Sequence, residues 1–341
     1  MRNHQGGFSL VELSIASTLL LGLVVLVSTL AISGTEAHDL SKRIIRMTEV
    51  AHEVTDDIRL EMVSSVQVFT NNSVGNDNLA LLDLSGAPAP IGEVRLPTVD
   101  TNGQFRADTP GDEITGNSLF FAYLAWQDRF ACTSGNEHRI DIYRWVHYYM
   151  SPVDGGPAPG QKGGLELVRY VSEPMADADA VDGITDPADR AEVLQHLVNA
   201  TPDMDGETHA PVEVVWARGG DPNDSDTLRQ IDAGNGSLSE TPIAGSGRND
   251  PWEILPSPSG VTGLLGYRRS SVASNYESVA PGVSRFAIRD DDLGFPHGFE
   301  VQVIGPTSAR QVLLNFVFVD MTQKGLPAWS PMQTIITAQD R

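Results

Sequence analysis

A chain of 341 residues with 45 acidic and 23 basic side chains carries a formal net charge of −22. That charge disfavours nonspecific binding to nucleic-acid phosphates, because there is no basic patch to release counterions. A single cysteine, Cys132, excludes an intramolecular disulfide and leaves a half-buried thiol in a sheet or a bridge between chains as its readings.

The first element is apolar. From Leu13 to Ile32 the chain holds only Leu, Val, Ile, Ala, Ser, Thr and Gly22, about the length a helix needs to cross a bilayer core of ~30 Å. Glu12 sits just inside the upstream end, where a carboxylate costs up to about 2.5–3.5 kcal/mol at mid-membrane and less near an interface. A removed secretory signal, a permanent signal anchor and a buried core helix all have to be weighed. The run exceeds the h-region of about 7–15 residues of an ordinary signal, although Ala31-Ile32-Ser33 offers a poor cleavage site. Lys42, Arg43 and Arg46 follow the run while the leader offers only Arg2 and the α-amine, so positive flanks alone place the wrong end inside.

The helix is expected to continue. Leu40, Ile44, Met47, Ala51, Val54, Ile58 and Met62 recur in steps of three and four, with Lys42, Arg43, Glu49, Glu53, Asp56, Asp57 and Glu61 assigned to the opposite side. The apolar stripe predicts packing on a β-sheet. A helix from Phe8 to about Val66 would be about 90 Å long.

Beyond residue 68 short alternating segments separated by Gly, Pro, Asn and Asp predict strands at 79–84, 93–99, 118–126, 139–150, 164–172, 212–217, 283–289, 298–304, 310–319 and 332–337. In 139–150 and 310–319 large side chains occupy both faces, which predicts central strands covered on each side. One helix is predicted at 187–198, with Asp186 as N-cap, Pro187 at the first helical position and Val193, Leu194, Leu197 and Val198 on its apolar side. Residues 219–262 read as a long loop excursion. Acid clusters in Asp177–Gly183, Asp203–Glu207 and Asp221–Asp226. Calcium takes six to eight oxygens, but no loop matches the EF-hand spacing, because Asp182 and Gly183 fall one place late. Solvated loops and calcium sites are both open readings; no other cofactor or metal is expected.

No Gly-x-Ser-x-Gly elbow, His-Glu-x-x-His, phosphate loop or paired-cysteine site occurs, and the eight histidines are scattered. The expectation is therefore assembly or binding rather than catalysis.

Gly6-Gly7-Phe8-Ser9-Leu10-Val11-Glu12-Leu13, with Arg2 upstream and about twenty apolar residues downstream, closely resembles the processing site of type IV pilins and type II secretion pseudopilins. The resemblance implies that a prepilin peptidase cuts after Gly7 and methylates the amine of Phe8, and that Glu12, fifth in the mature chain, serves filament assembly. It also implies a bacterial inner-membrane, single-pass subunit with its head in the periplasm or outside, which later enters a filament. In a filament core a buried carboxylate needs a partner, and the Phe8 amine of a neighbouring subunit is an available one. The cytoplasmic active site of the peptidase overrides the positive-flank count, since long translocated domains cross largely regardless of charge.

A second likeness covers 118–172. Leu119-Phe120-Phe121, Ile140 to Trp145, and Gly164 to Tyr170 with its Leu167-Val168-Arg169 ending look like the strand run of J-type minor pseudopilins and W-type minor pilins. The large head, and the lack of the proline that many major subunits carry around the position of Thr29, also favour a minor subunit; Glu12 departs from the K-type, which typically lacks it. The expected organisation is a cleaved leader at 1–7, a transmembrane and filament-core helix at 8–34, an amphipathic continuation at 35–68 and an acidic β-rich head at 69–341. The expected fold is α+β, a long N-terminal helix on an antiparallel sheet. The expected partners are the peptidase, an inner-membrane assembly platform, and other minor and major pilins or pseudopilins. The rivals are a major or adhesive pilin, and a surface binding or enzymatic β-domain that keeps the helix as a permanent anchor.

Overall fold

A computed structural model describes residues 9–82, 84, 87–90, 92–152, 165–222, 224, 226–232, 234–239, 252–255, 271–272, 285–287, 298–321 and 327–338. Helix α1 runs unbroken from Leu10 to Val63, 54 residues, or about 80 Å. It contains no proline, and Leu, Ala, Glu, Arg and Met recur along its whole length. Its end comes at Ser64, whose amide bonds back to Glu61 O at 3.1 Å. This is earlier than the predicted Val66, because Ser65–Val68 leaves the helix as strand β1 and pairs with Tyr123 to Phe121.

The remaining elements, in chain order, are α2 (Ser73–Ala80), β2 (Val99–Asp100), β3 (Leu119–Ala131), β4 (Glu137–Pro152), β5 (Leu165–Val171), β6 (Met175–Asp177), α3 (Ala178–Asp182), α4 (Pro187–Asn199), β7 (Val214–Trp216), β8 (Leu228–Asp232), β9 (Ser237–Leu238), β10 (Trp252–Leu255), β11 (Ser271–Val272), β12 (Phe299–Ile304), β13 (Arg310–Met321) and β14 (Pro327–Ala338). Among the described residues the strands form one sheet of fourteen, so the architecture is α+β. Its pairings are antiparallel except β2 with β12 and β6 with β7. Long hairpins carry most of the order: β3 pairs with β4 from Leu119↔Tyr148 to Ala131↔Glu137, and β13 with β14 from Arg310↔Ala338 to Met321↔Pro327.

Strand alternation divides the side chains into two layers. Leu119 and Phe121 of β3, Val146, Tyr148 and Met150 of β4, and Leu314, Phe316 and Phe318 of β13 join Met47, Val54, Ile58 and Met62 of α1 in one core. Phe120, Tyr143 and Trp145 point the other way, into an aromatic layer with Phe69 and Trp216. There Phe69 stacks on Phe120 at 4.2 Å, and Trp145 meets Trp216 edge-on at 5.6 Å. Both faces of β4 are therefore covered, as its residues predicted. A third core forms where Val193, Leu194 and Leu197 of α4 pack on Ile140 and Ile142.

Several predicted elements are corrected. Residues 79–80 close helix α2, nucleated by the Asn72 side chain, which accepts the Gly75 amide at 2.7 Å; the Leu-Ala-Leu-Leu run that begins in its last turn is too short to separate the two periods. The 93–99 segment reaches a strand only at Val99–Asp100, since the Arg95 amide donates to Asn117 Oδ1 at 2.8 Å and the Asn117 amide to Arg95 O at 2.9 Å instead of a ladder. Of 283–289 only 285–287 is described, and it bends beneath Glu300. The 219–262 excursion contains β8, β9 and β10, so part of it belongs to the sheet. Helix α4 has the predicted Asp186 cap, accepting the Ala188 amide at 2.8 Å, and Pro187 at its start.

His147 of β4 is fully buried in the aromatic layer, 5.8 Å from the Phe120 ring and 4.8 Å from Tyr149. Among the described residues neither of its ring nitrogens has a hydrogen-bond partner. Burial pushes its pKa down to about 3. The unfolded chain binds this proton below the ordinary histidine pKa while the folded chain refuses it, so the contribution to stability is whole above about pH 6.5 and shrinks as the solution is acidified. Urea unfolding of the detergent-solubilised chain should show His147→Leu gaining about 2–3 kcal/mol relative to wild type between neutral pH and about pH 4.5; parallel curves would place a partner on the imidazole.

Candidate functional site

The first half of α1 has no contact with a core. Residues 9–38 are exposed throughout, with large apolar side chains running from 53% exposure at Val27 to 85% at Leu10. This is the one helix among the described residues long and apolar enough to cross a membrane. An apolar surface of this extent has to be covered by lipid or by protein. Several hydroxyls within it bond back to the helix: Ser17 donates to Leu13 O at 2.7 Å, Thr18 to Ser14 O at 2.8 Å, and Thr29 to Val25 O at 2.9 Å. Such back-bonding lets a hydroxyl enter hydrocarbon without an unpaired donor.

Of the three residues singled out from the sequence, Gly7 and Phe8 lie outside the described residues and Glu12 occupies the first helical turn. Its carboxylate accepts the Ser9 amide at 2.9 Å, while the Ser9 hydroxyl accepts the Glu12 amide at 3.2 Å. The pair is a capping box. Sequence reasoning treated Glu12 as a charge in search of a partner and passed over Ser9-Leu10-Val11-Glu12, whose Ser-x-x-Glu spacing signals the box. The carboxylate also favours the helix amino terminus by opposing its partial positive charge.

The change from exposed to buried falls at Met47. Leu40 and Ile44, predicted to pack on the sheet, remain 38% and 41% exposed, whereas Met47, Val50, Ala51, Val54, Ile58 and Met62 are buried. Arg43 pairs along the helix with Asp39 at 3.2 Å. At the lower end a polar clamp fixes the helix to the head. Glu61 receives Arg169 Nε at 3.0 Å and is also bonded by Arg169 Nη2 and by the buried Tyr148 hydroxyl. Burial and the neighbouring Glu61 carboxylate hold the Tyr148 pKa well above its ordinary value, so the phenol stays a donor. The prediction that Glu61 lies on the polar side is thus corrected: it stands three residues after Ile58, on the sheet-facing stripe. Arg169, the end of the Leu167-Val168-Arg169 run, is its partner.

The acidic loops are partly engaged by the protein itself. Asp182 is bridged by Arg190 and Arg229, each at 2.6 Å. Asp203 Oδ1 accepts the amides of Asp205 and Glu207, both at 2.9 Å. Cys132, expected half-buried within a strand, is buried just past the end of β3, where the hairpin turn meets α4.

Removing one member of the clamp leaves a largely desolvated charge. Arg169→Met should lower the unfolding free energy by about 2–4 kcal/mol, and Tyr148→Phe by about 1–3 kcal/mol, as read by urea denaturation; values near zero for both would mean that the helix is held by its apolar stripe alone. No protein-family model, no curated protein and no solved structure matches this chain.

Proposed function

We propose that this chain is a minor subunit of a type IV pilus or type II secretion pseudopilus, cut by a prepilin peptidase after Gly7 and acting in filament initiation or at the tip. The observation that carries the reading is a division of one continuous helix. Its apolar half, beginning beside Gly7-Phe8, is bare, and its second half is sunk into a large acidic head. A bare helix of this kind suits a subunit that waits in the inner membrane and is then drawn by an assembly platform into a bundle of similar helices. The head, too bulky for dense repetition, suits contact with other minor subunits.

One observation favours a second reading, a β-domain held by a permanent anchor. The capping box gives Glu12 a partner within its own chain, so the carboxylate does not require a neighbour. A single substitution separates the two. Glu12→Gln keeps an acceptor for the Ser9 amide, and Gln serves in capping boxes as Glu does, but it removes the charge that pairs with a neighbour's terminal amine. The filament reading expects E12Q to be made, inserted and processed normally while its recovery in sheared or secreted filament fractions falls at least about tenfold, the equivalent of ~1.4 kcal/mol. Unchanged recovery of E12Q would favour the anchor.

A further inference from the structure

Away from the membrane helix, the tip of the β3–β4 hairpin folds over the start of α4 and brings together three different metal-binding side chains. Cys132 Sγ, His138 Nε2 and a carboxylate oxygen of Asp189 lie within 4.8 Å of one another. We infer that Cys132, His138 and Asp189 form a binding site for one zinc-class divalent cation, with the fourth position open to water. This inference is independent of the filament reading.

The donor set is one that zinc accepts, sulfur, imidazole nitrogen and carboxylate oxygen. Bonds of about 2.0–2.3 Å to a tetrahedral ion put neighbouring donors roughly 3.5 Å apart. His138 Nε2 and Asp189 Oδ2 already stand at 3.4 Å. The Cys132 sulfur sits over the α4 backbone, 3.7 Å from Asp189 O, and closes on the ion with a shift of about 1 Å. Each donor comes from a different fixed element: the turn after β3, strand β4 and the first turn of α4. Asp189 and Cys132 are 2% and 5% exposed, while His138 lies on the more open side, with 21% of its side chain accessible. The imidazole is thus the ligand that solvent reaches.

The surroundings are those of a ligand set rather than of a plain packing contact. Asn136 Nδ2 donates to Asp189 Oδ2 at 2.8 Å, so the orientation of the carboxylate is set by an outer partner. The adjacent Glu192 carboxylate takes the Thr133 amide at 3.0 Å and its hydroxyl at 3.0 Å, which pins the turn. On binding, Cys132 gives its proton to solvent and the thiolate becomes the ligand.

The test uses the tag-free full chain in detergent, stripped with chelator and then titrated with Zn²⁺ alone or with Co²⁺ alone. The expected result is one tightly held equivalent of Zn²⁺ after desalting, and with Co²⁺ a thiolate-to-metal charge-transfer band together with tetrahedral ligand-field absorption. Cys132→Ser and Asp189→Asn, checked for native circular dichroism, should each lose that equivalent, and Cys132→Ser the charge-transfer band. Wild-type chain that retains no stoichiometric zinc, a cobalt spectrum without a thiolate band, or full retention in Cys132→Ser would each overturn the site. The cobalt spectrum is read on wild type, so the test does not depend on the variants folding.

Discussion

Burial of one helical stripe, Met47 to Met62, decides what the rest of the molecule can be. Those side chains meet the inward faces of β3, β4, β13 and β14 in the largest apolar layer of the head, at roughly 1.5–3 kcal/mol for each large side chain removed from water. Because the helix is continuous, the same fixed rod projects its amino-terminal half away from the head, where the apolar residues before Met47 find no protein to cover them. A single backbone element therefore faces two environments. The junction is set by where the sheet ends rather than by where the apolar pattern changes, which is why Leu40 and Ile44 continue the pattern but stay exposed.

The Glu61–Arg169–Tyr148 clamp adds direction to this packing. Apolar contacts along a regular stripe tolerate sliding by a turn, but a partly buried carboxylate bonded to an arginine and a phenol does not, since a shift would leave charges without partners. The clamp joins the last turn of the helix to two adjacent strands, β4 and β5. It thereby ties the direction of the exposed half to the rigid sheet. Force or orientation imposed on the helix in a bilayer or bundle would pass to the head through this contact.

Much of this was legible in the residues. Alternating bulky side chains on both faces announced β4 and β13, and Asp186-Pro187 announced α4, because local chemistry and tertiary role agree there. The failures have local causes. Glu61 was assigned to solvent by residue type, although its spacing from Val54 and Ile58 places it on the buried stripe. Helix α2 and strand β1 are short enough that caps and partners, not periodicity, decide them. The Cys132, His138 and Asp189 cluster has no linear signature, since Asp189 lies 57 positions beyond Cys132 and reaches it only through the hairpin and α4. In the acid-rich loops, the pairing of Asp182 with Arg190 and Arg229 has no linear signature either, since its partners come from α4 and β8.

Processing immediately before the exposed helix separates a filament subunit from an anchored or secreted domain. Intact-mass and amino-terminal analysis of the chain purified from cells that carry a prepilin peptidase reads this directly. The account predicts a protein beginning at Phe8 with a methylated amine and the apolar helix retained. A chain that still begins at Met1, or one cut near Ser33 with the helix lost, would contradict it.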